Sequence, residues 1–346
     1  MGMRERLART VLKLPDSWLV KLAGGTPLVV RGHTLDARFQ FLSHMSDKRP
    51  TAPELGAVGF RAAAQKGLAM IAAAPEPGVS WRDFSIKSQN GDVPVRLYTP
   101  DDQSPDAPLL TYFHMGGGVI GDLETCHVFC TILASDVRCP VLSVDYRLAP
   151  EHKWPAGLND CRAAYEWALK NAGAHGAPPG EAAVGGDSMG GHFAAIIAQE
   201  TKRDGLPTPA LQLLIYPATN LADPSASHAD IPQVHPLTSG LMNWFAEQYL
   251  PDGADPAQLL ISPALATDME DLCPAVIATA GFDPLADDGK AYADRLTQNG
   301  VDVDFVCYQT LAHGFTAYTS VVPAADKACR EIARKVSRAY AGRISN

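Results

Sequence analysis

Three side chains with complementary chemistry stand out in the sequence: Ser188, Asp283 and His313. A serine hydroxyl is a weak nucleophile until an imidazole takes its proton, and the imidazole needs an acid to fix its tautomer. Ser188 sits in Gly186-Asp187-Ser188-Met189-Gly190, directly after the apolar run Ala182–Val184 and before the amphipathic stretch Gly191–Thr201. This is a G-x-S-x-G pattern in a strand-turn-helix setting, where flanking Cβ atoms would meet neighbouring backbone. Asp283 follows the strand-like run Ala275–Thr279, and His313 follows Val303–Tyr308. All three therefore fall just past strand ends, which cluster at one edge of a parallel sheet. Asp287 and Asp288 are alternative acids, but both fall within the predicted helix Leu285–Asn299.

A fourth element is His114-Met115-Gly116-Gly117-Gly118, directly after the strand-like Leu109–Phe113. Consecutive glycines leave backbone N–H groups free to meet a developing oxyanion. A phosphate-cradling loop is the competing reading, but neither a following Gly-Lys-Ser/Thr nor a dinucleotide fingerprint is present. His127, His152 and His192 are assigned to packing or surface roles. Glu151, four residues after Arg147, is expected to pair with it.

These residues need a frame. Strand-like runs at Leu109–Phe113, Val141–Val144, Ala182–Val184, Leu211–Tyr216, Ala275–Thr279 and Val303–Tyr308 alternate with helical stretches. The helical stretches are Glu124–Ser135, Gly157–Asn171, Gly191–Thr201, Leu285–Asn299 and Ala324–Tyr340. That alternation implies a mostly parallel sheet flanked by helices. Trp81–Ile86 and Val93–Tyr98, joined by Gln89-Asn90-Gly91-Asp92, predict an opening hairpin. Residues 1–75 read as short amphipathic helices. Met3, Leu7, Val11 and Leu14 form one stripe before Pro15; a second helix carries Trp18, Leu19 and Leu22, capped by Asp16 or Ser17; Leu35, Phe39 and Leu42 repeat the pattern. Pro217 to Ile261 breaks the rhythm with a polar loop and an apolar helix, Leu241–Leu250, and is read as a cap insertion. The expected organisation is residues 1–75 as part of a helical cap, 76–216 and 262–346 as the catalytic α/β domain, and 217–261 as the rest of the cap. Met242, Trp244 and Phe245 on the cap helix either line a substrate pocket or pack the cap onto the core.

The 346 residues are 46% hydrophobic with a net charge of −9. That is enough chain for one large domain, and it offers no basic footprint for nucleic acid or an anionic membrane. The seven cysteines form no C-x-x-C pair and are read as reduced, mostly buried thiols. Lys13, Pro15, Asp16 and Lys21 interrupt any signal-peptide core, and no run approaches a membrane span. A cytoplasmic protein is expected.

As a set, the motifs resemble the hormone-sensitive-lipase-like (family IV) bacterial carboxylesterases. The matching text is Tyr112-Phe113-His114-Met115-Gly116-Gly117, Asp145-Tyr146-Arg147-Leu148-Ala149-Pro150-Glu151-His152, Gly186-Asp187-Ser188-Met189-Gly190-Gly191, Asp283-Pro284-Leu285 and His313-Gly314-Phe315. The resemblance covers residue 80 to the C-terminus. It implies an α/β-hydrolase fold with an eight-stranded sheet and a helical cap built from the N-terminus and the insertion. It implies Ser188 as nucleophile, Asp283 as acid and His313 as base, with Gly116, Gly117 and Met189 N–H groups as the oxyanion hole. A register using Gly117 and Gly118 is the alternative. The chain departs from the family at three places: Met115 replaces a glycine, Gly118 an aromatic residue and Met189 an alanine. Met115 and Met189 are therefore expected to add bulk near the site, and Gly118 to remove some. The implied activity is hydrolysis of short-chain carboxylic esters, with no metal or cofactor. The expected partner is a small-molecule ester, and the expected assembly a homodimer. An amidase or lipase would use the same triad. A non-catalytic binding protein, as in the plant gibberellin receptors, would have lost the histidine that this chain keeps.

Overall fold

The computed structural model describes residues 9–47, 49–231 and 233–342. Eight strands form one sheet: β1 (Val79–Ser88), β2 (Gly91–Pro100), β3 (Leu109–Phe113), β4 (Val141–Val144), β5 (Ala182–Asp187), β6 (Gln212–Ile215), β7 (Ala275–Phe282) and β8 (Val303–Ala312). Their spatial order is β8-β7-β6-β5-β3-β4-β2-β1. Strands β3 to β8 run parallel; β2 pairs antiparallel with β4, and β1 with β2. β3 to β7 are almost wholly buried, as expected of strands covered on both faces by helices. The predicted hairpin is longer than expected at both ends. Its turn is the two residues Gln89–Asn90, and Ser88 pairs with Gly91.

The strand order fixes where a site can form. From β3 the chain passes to β4 on one side and then returns to β5 on the other. The crevice beyond the C-terminal ends of adjacent β3 and β5 is the switch point of the sheet, where ligands bind in folds of this class. Phe113, the last residue of β3, lies opposite Gly186. The glycine loop and the Ser188 turn are thus neighbours.

The N-terminal region contributes α1 (Asp16–Leu22), α2 (Ala37–Ser46) and α3 (Ala52–Ile71), the last broken at Gly56. Met3 and Leu7 lie outside the described residues. Neither Asp16 nor Ser17 caps α1, which Pro15 enters without a side-chain bond; Asp16 pairs with Arg38 instead. Only Leu19 of that helix is buried, while Trp18 and Leu22 are exposed. The insertion holds α7 (Ala226–Asp230) and α8 (Ser239–Tyr249). The Phe60 ring of α3 meets Trp244 and Phe245 of α8 at 5.7 and 6.3 Å. The N-terminal helices and the insertion therefore pack together above the crevice. The flanking helices are α4 (His127–Val137), α5 (Ala156–Asn171), α6 (Met189–Arg203), α9 (Ala286–Gln298) and α10 (Pro323–Tyr340).

The expected Arg147–Glu151 pair does not form. Residues 145–152 are not helical, so a four-residue spacing brings nothing together. Arg147 instead grips buried Asp160 at 2.8 Å, and Glu151 pairs with Arg61 of α3 at 2.6 Å. The seven cysteines are all free, and six are buried. Among the described residues, no helix is long and apolar enough to cross a membrane.

Candidate active site

Ser188 occupies the turn between β5 and α6 with φ 57° and ψ −117°. Few residues hold such a backbone unless the surroundings enforce it. Here they do. A Cβ on Gly190 would lie 1.9 Å from the Phe113 carbonyl oxygen, and one on Gly186 would lie 2.4 Å from Gly190 backbone. The two glycines let the turn close tightly enough to lift Ser188 out of the sheet edge.

His313 follows β8 and Asp283 follows β7. His313 Nε2 lies 2.9 Å from Ser188 Oγ, and His313 Nδ1 lies 2.7 Å from Asp283 Oδ2. A carboxylate oxygen accepts, so this pairing suits a proton on Nδ1 and leaves Nε2 facing the Ser188 hydroxyl. Asp283 is fully buried, and its second oxygen accepts from Leu285 N at 2.8 Å, which fixes its orientation. The Tyr216 ring packs 4.6 Å from the imidazole. Asp187 within the serine motif is buried behind it, accepting from Tyr216 Oη and Thr316 Oγ1 at 3.0 Å each. Burial raises its carboxyl above the ordinary value. The sequence reading gave Asp187 and Tyr216 no role.

The glycine loop has the shape of an anion cradle. Gly116, Gly117 and Gly118 adopt φ of 130°, 62° and 70°. Among the described residues, none accepts a hydrogen bond from the N–H of Gly116, Gly117 or Met189. Backbone donors left free beside a reactive serine are what an oxyanion requires. Gly116 and Gly117 line the cavity at Ser188, whereas Gly118 does not, and its carbonyl accepts from Ala149 N. That favours the Gly116–Gly117 register. His114 supports the loop from beneath: Nδ1 donates to the Met115 carbonyl at 2.7 Å, and the ring stacks on Tyr146 at 4.2 Å. Burial pushes its pKa down to about 4, so it stays neutral.

Two cavity branches meet at Ser188. The larger, about 650 Å³, is lined by Met115, Gly116, His313 and residues of α3. The smaller, about 130 Å³, is lined by Met189, Met242, Asn220 and Asp288. Phe245 and Leu237 face both branches and divide them. Met115 and Met189 do add bulk, one to each branch. Trp244 lines neither: it is buried against Phe60 and packs α8 onto α3. The space left open by Gly118 is filled from α8, whose Tyr249 ring lies 2.7 Å from the position a Cβ would take. His192, on α6 itself, is buried with Nδ1 on the Ala218 carbonyl, and His127 sits beside Tyr98 and Arg96. Asp287 is held by Arg31. Among the described residues, no His, Cys, Asp and Glu groups are arranged to hold a metal ion.

Comparison with known proteins places the chain in a family. A family profile described as α/β hydrolase fold matches residues 110–317. Carboxylic ester hydrolase LipN of Mycobacterium tuberculosis is 39% identical over 303 residues, 85% of this chain and 80% of that protein. Carboxylesterase NlhH of the same species is 41% identical, over 68% and 75% of the two chains. Among solved structures, an ester hydrolase from the metagenome of Lake Arreo superposes with a TM-score of 0.83 at 36% identity, covering 94% of this chain and 98% of that one. A hyperthermophilic esterase from Pyrobaculum calidifontis superposes at 0.80 with 34% identity, covering 86% and 96%. The chain belongs to the hormone-sensitive-lipase-like family of α/β-hydrolase-fold carboxylic ester hydrolases.

Proposed function

We propose that the protein hydrolyses short-chain carboxylic esters through an acyl-enzyme on Ser188. The observation that carries this reading is the continuous relay from Ser188 Oγ through His313 to Asp283, at 2.9 and 2.7 Å, beside free N–H groups. Ser188 Oγ attacks the ester carbonyl carbon while His313 Nε2 takes its proton. The carbonyl oxygen becomes an oxyanion facing the N–H groups of Gly116, Gly117 and Met189, each worth about 10²–10³ in rate. The C–O bond to the alcohol breaks, and His313 returns the proton to the leaving oxygen. Water, deprotonated by the same imidazole, then attacks the acyl carbon and frees the acid and Ser188. Asp283 keeps the imidazole in the productive tautomer and stabilises its cationic form.

The two branches divide the substrate. The leaving alcohol must lie beside His313, and the branch containing His313 is the large one. The acyl group then enters the small branch, beside Met189 and away from His313. Its volume of about 130 Å³ suits a short acyl chain. The test is a series of p-nitrophenyl esters from acetate to octanoate, with wild type and Ser188→Ala. Activity is expected to peak at short acyl groups and to vanish in the variant. Equal activity in the variant, or a folded wild type inert on all esters, would sink the reading.

A further inference from the structure

The small branch is not uniformly apolar. Asp288, at the start of α9, lines it together with Asn220 and His228, among Met189, Leu237 and Met242. Asp288 is only 6% exposed. Its backbone carbonyl accepts from Thr219 Oγ1, so the main chain is held without help from the carboxyl group. The hydroxyl beside the carboxyl is that of Ser225, which also bonds Ser227 Oγ at 3.0 Å. A carboxylate can accept at roughly four lone-pair positions, so acceptor capacity is left over at the wall of the acyl branch.

The neighbouring charges sharpen the point. Asp283, in the loop before α9, is paired with His313, and Asp287, on α9 itself, is paired with Arg31. From the segment after β6 come Asp223 and Ser225, from α7 His228, and from α8 only the uncharged Asn243. Among the described residues Asp288 has no cationic partner. A buried carboxyl without a cation favours a ligand that brings a donor or a positive charge.

We propose that Asp288 is a specificity-determining residue, selecting short acyl groups that carry a hydrogen-bond donor, a hydroxyl or an ammonium, over plain alkyl acyl groups of the same length. This rests on the placement of the acyl group in the small branch. Burial pushes the Asp288 carboxyl up to about 7. The group is neutral below that pH and ionised above it, and the ionised form is the stronger acceptor. The selectivity therefore grows as pH rises through 7.

The experiment measures kcat/KM for ethyl 3-hydroxybutanoate relative to ethyl butanoate, from pH 6 to 8.5, in wild type, Asp288→Asn and Asp288→Leu. Taking the ratio cancels the titration of the triad, which both esters share. Wild type is expected to prefer the hydroxy ester by about tenfold at high pH, as one hydrogen bond to a charged group allows, with the ratio falling towards acid. Asp288→Asn is expected to flatten the pH dependence, and Asp288→Leu to bring the ratio below one. Equal ratios in all three proteins at every pH, with both esters still hydrolysed, overturn the proposal. If the leucine variant does not fold, the asparagine profile decides alone. A folded wild type inert on both esters removes the esterase reading itself, and this proposal with it.

Discussion

Arg61, on helix α3, donates to the carbonyl of Val119 at 2.6 Å, the residue directly after the three loop glycines. The same guanidinium donates to the Ala149 carbonyl at 2.5 Å and grips Glu151 at 2.9 and 2.6 Å. Val119 N in turn donates to the Gly116 carbonyl. Helix α3 is thus fastened to the glycine loop beside Ser188. Arg61→Ala should lower kcat about tenfold with a smaller change in KM, and cost roughly 1–3 kcal/mol of stability through the carbonyls left without a donor. Arg61→Lys should recover only part, since one ammonium cannot reproduce the planar fork. Steady-state kinetics and denaturant unfolding of both variants check this; unchanged kcat would separate the latch from catalysis.

Gly116 tests the anion cradle. A Cβ there would sit 2.0 Å from the Ile120 carbonyl oxygen, and its φ of 130° disfavours any side chain. Gly116→Ala should displace the loop and reduce kcat by about 10²–10³, the loss of one oxyanion donor, with circular dichroism unchanged. Full activity would move the oxyanion site elsewhere.

Phe245 stands between the two branches and against Gly117. Phe245→Ala should join the branches and shift the preferred acyl length from acetate or butyrate towards hexanoate or longer. An unaltered chain-length profile on p-nitrophenyl esters would show that this ring does not bound the acyl site.

Stability should depend on pH in a signed way. Burial holds His114, His192 and His235 neutral, with pKa values pushed down to about 4. The unfolded chain binds protons at these positions below about 6.5, so their contribution is present above that pH and is lost as pH falls towards 4. Asp288 acts oppositely. Its raised pKa of about 7 favours the folded state at low pH and is lost as pH rises through 7. Asp288→Asn should therefore lose stability more steeply than wild type between pH 6.5 and 4. Urea midpoints measured across that range check it, and parallel curves would contradict it.

Much of the frame was legible because the alternation of strand and helix is local. β3 and β4 fall at the expected residues, and the other parallel strands differ by one to four residues at their ends. The positions of Ser188, Asp283 and His313 were readable because each follows a strand in a short glycine-containing motif. What eluded the sequence depends on distant contacts. Glu151 finds Arg61, 90 residues away, instead of Arg147. Tyr249 fills the space at Gly118 from the last turn of α8, 131 residues on in the chain. Asp288 reads only as an alternative acid within a predicted helix until α9 is seen to face the smaller cavity branch. Trp244 and Phe245 are adjacent, and helical geometry turns one towards Phe60 and the other also towards the cavity.

The central claim is that Ser188 becomes covalently acylated with help from His313. The most direct measurement is intact-protein mass spectrometry, with peptide mapping, after exposure to an activated alkyl phosphonate that mimics the tetrahedral intermediate. A single adduct on Ser188, formed in step with loss of esterase activity and slowed at least a hundredfold in His313→Ala, is the predicted result. An adduct on another residue, or ester hydrolysis that persists in a protein fully labelled at Ser188, would contradict it.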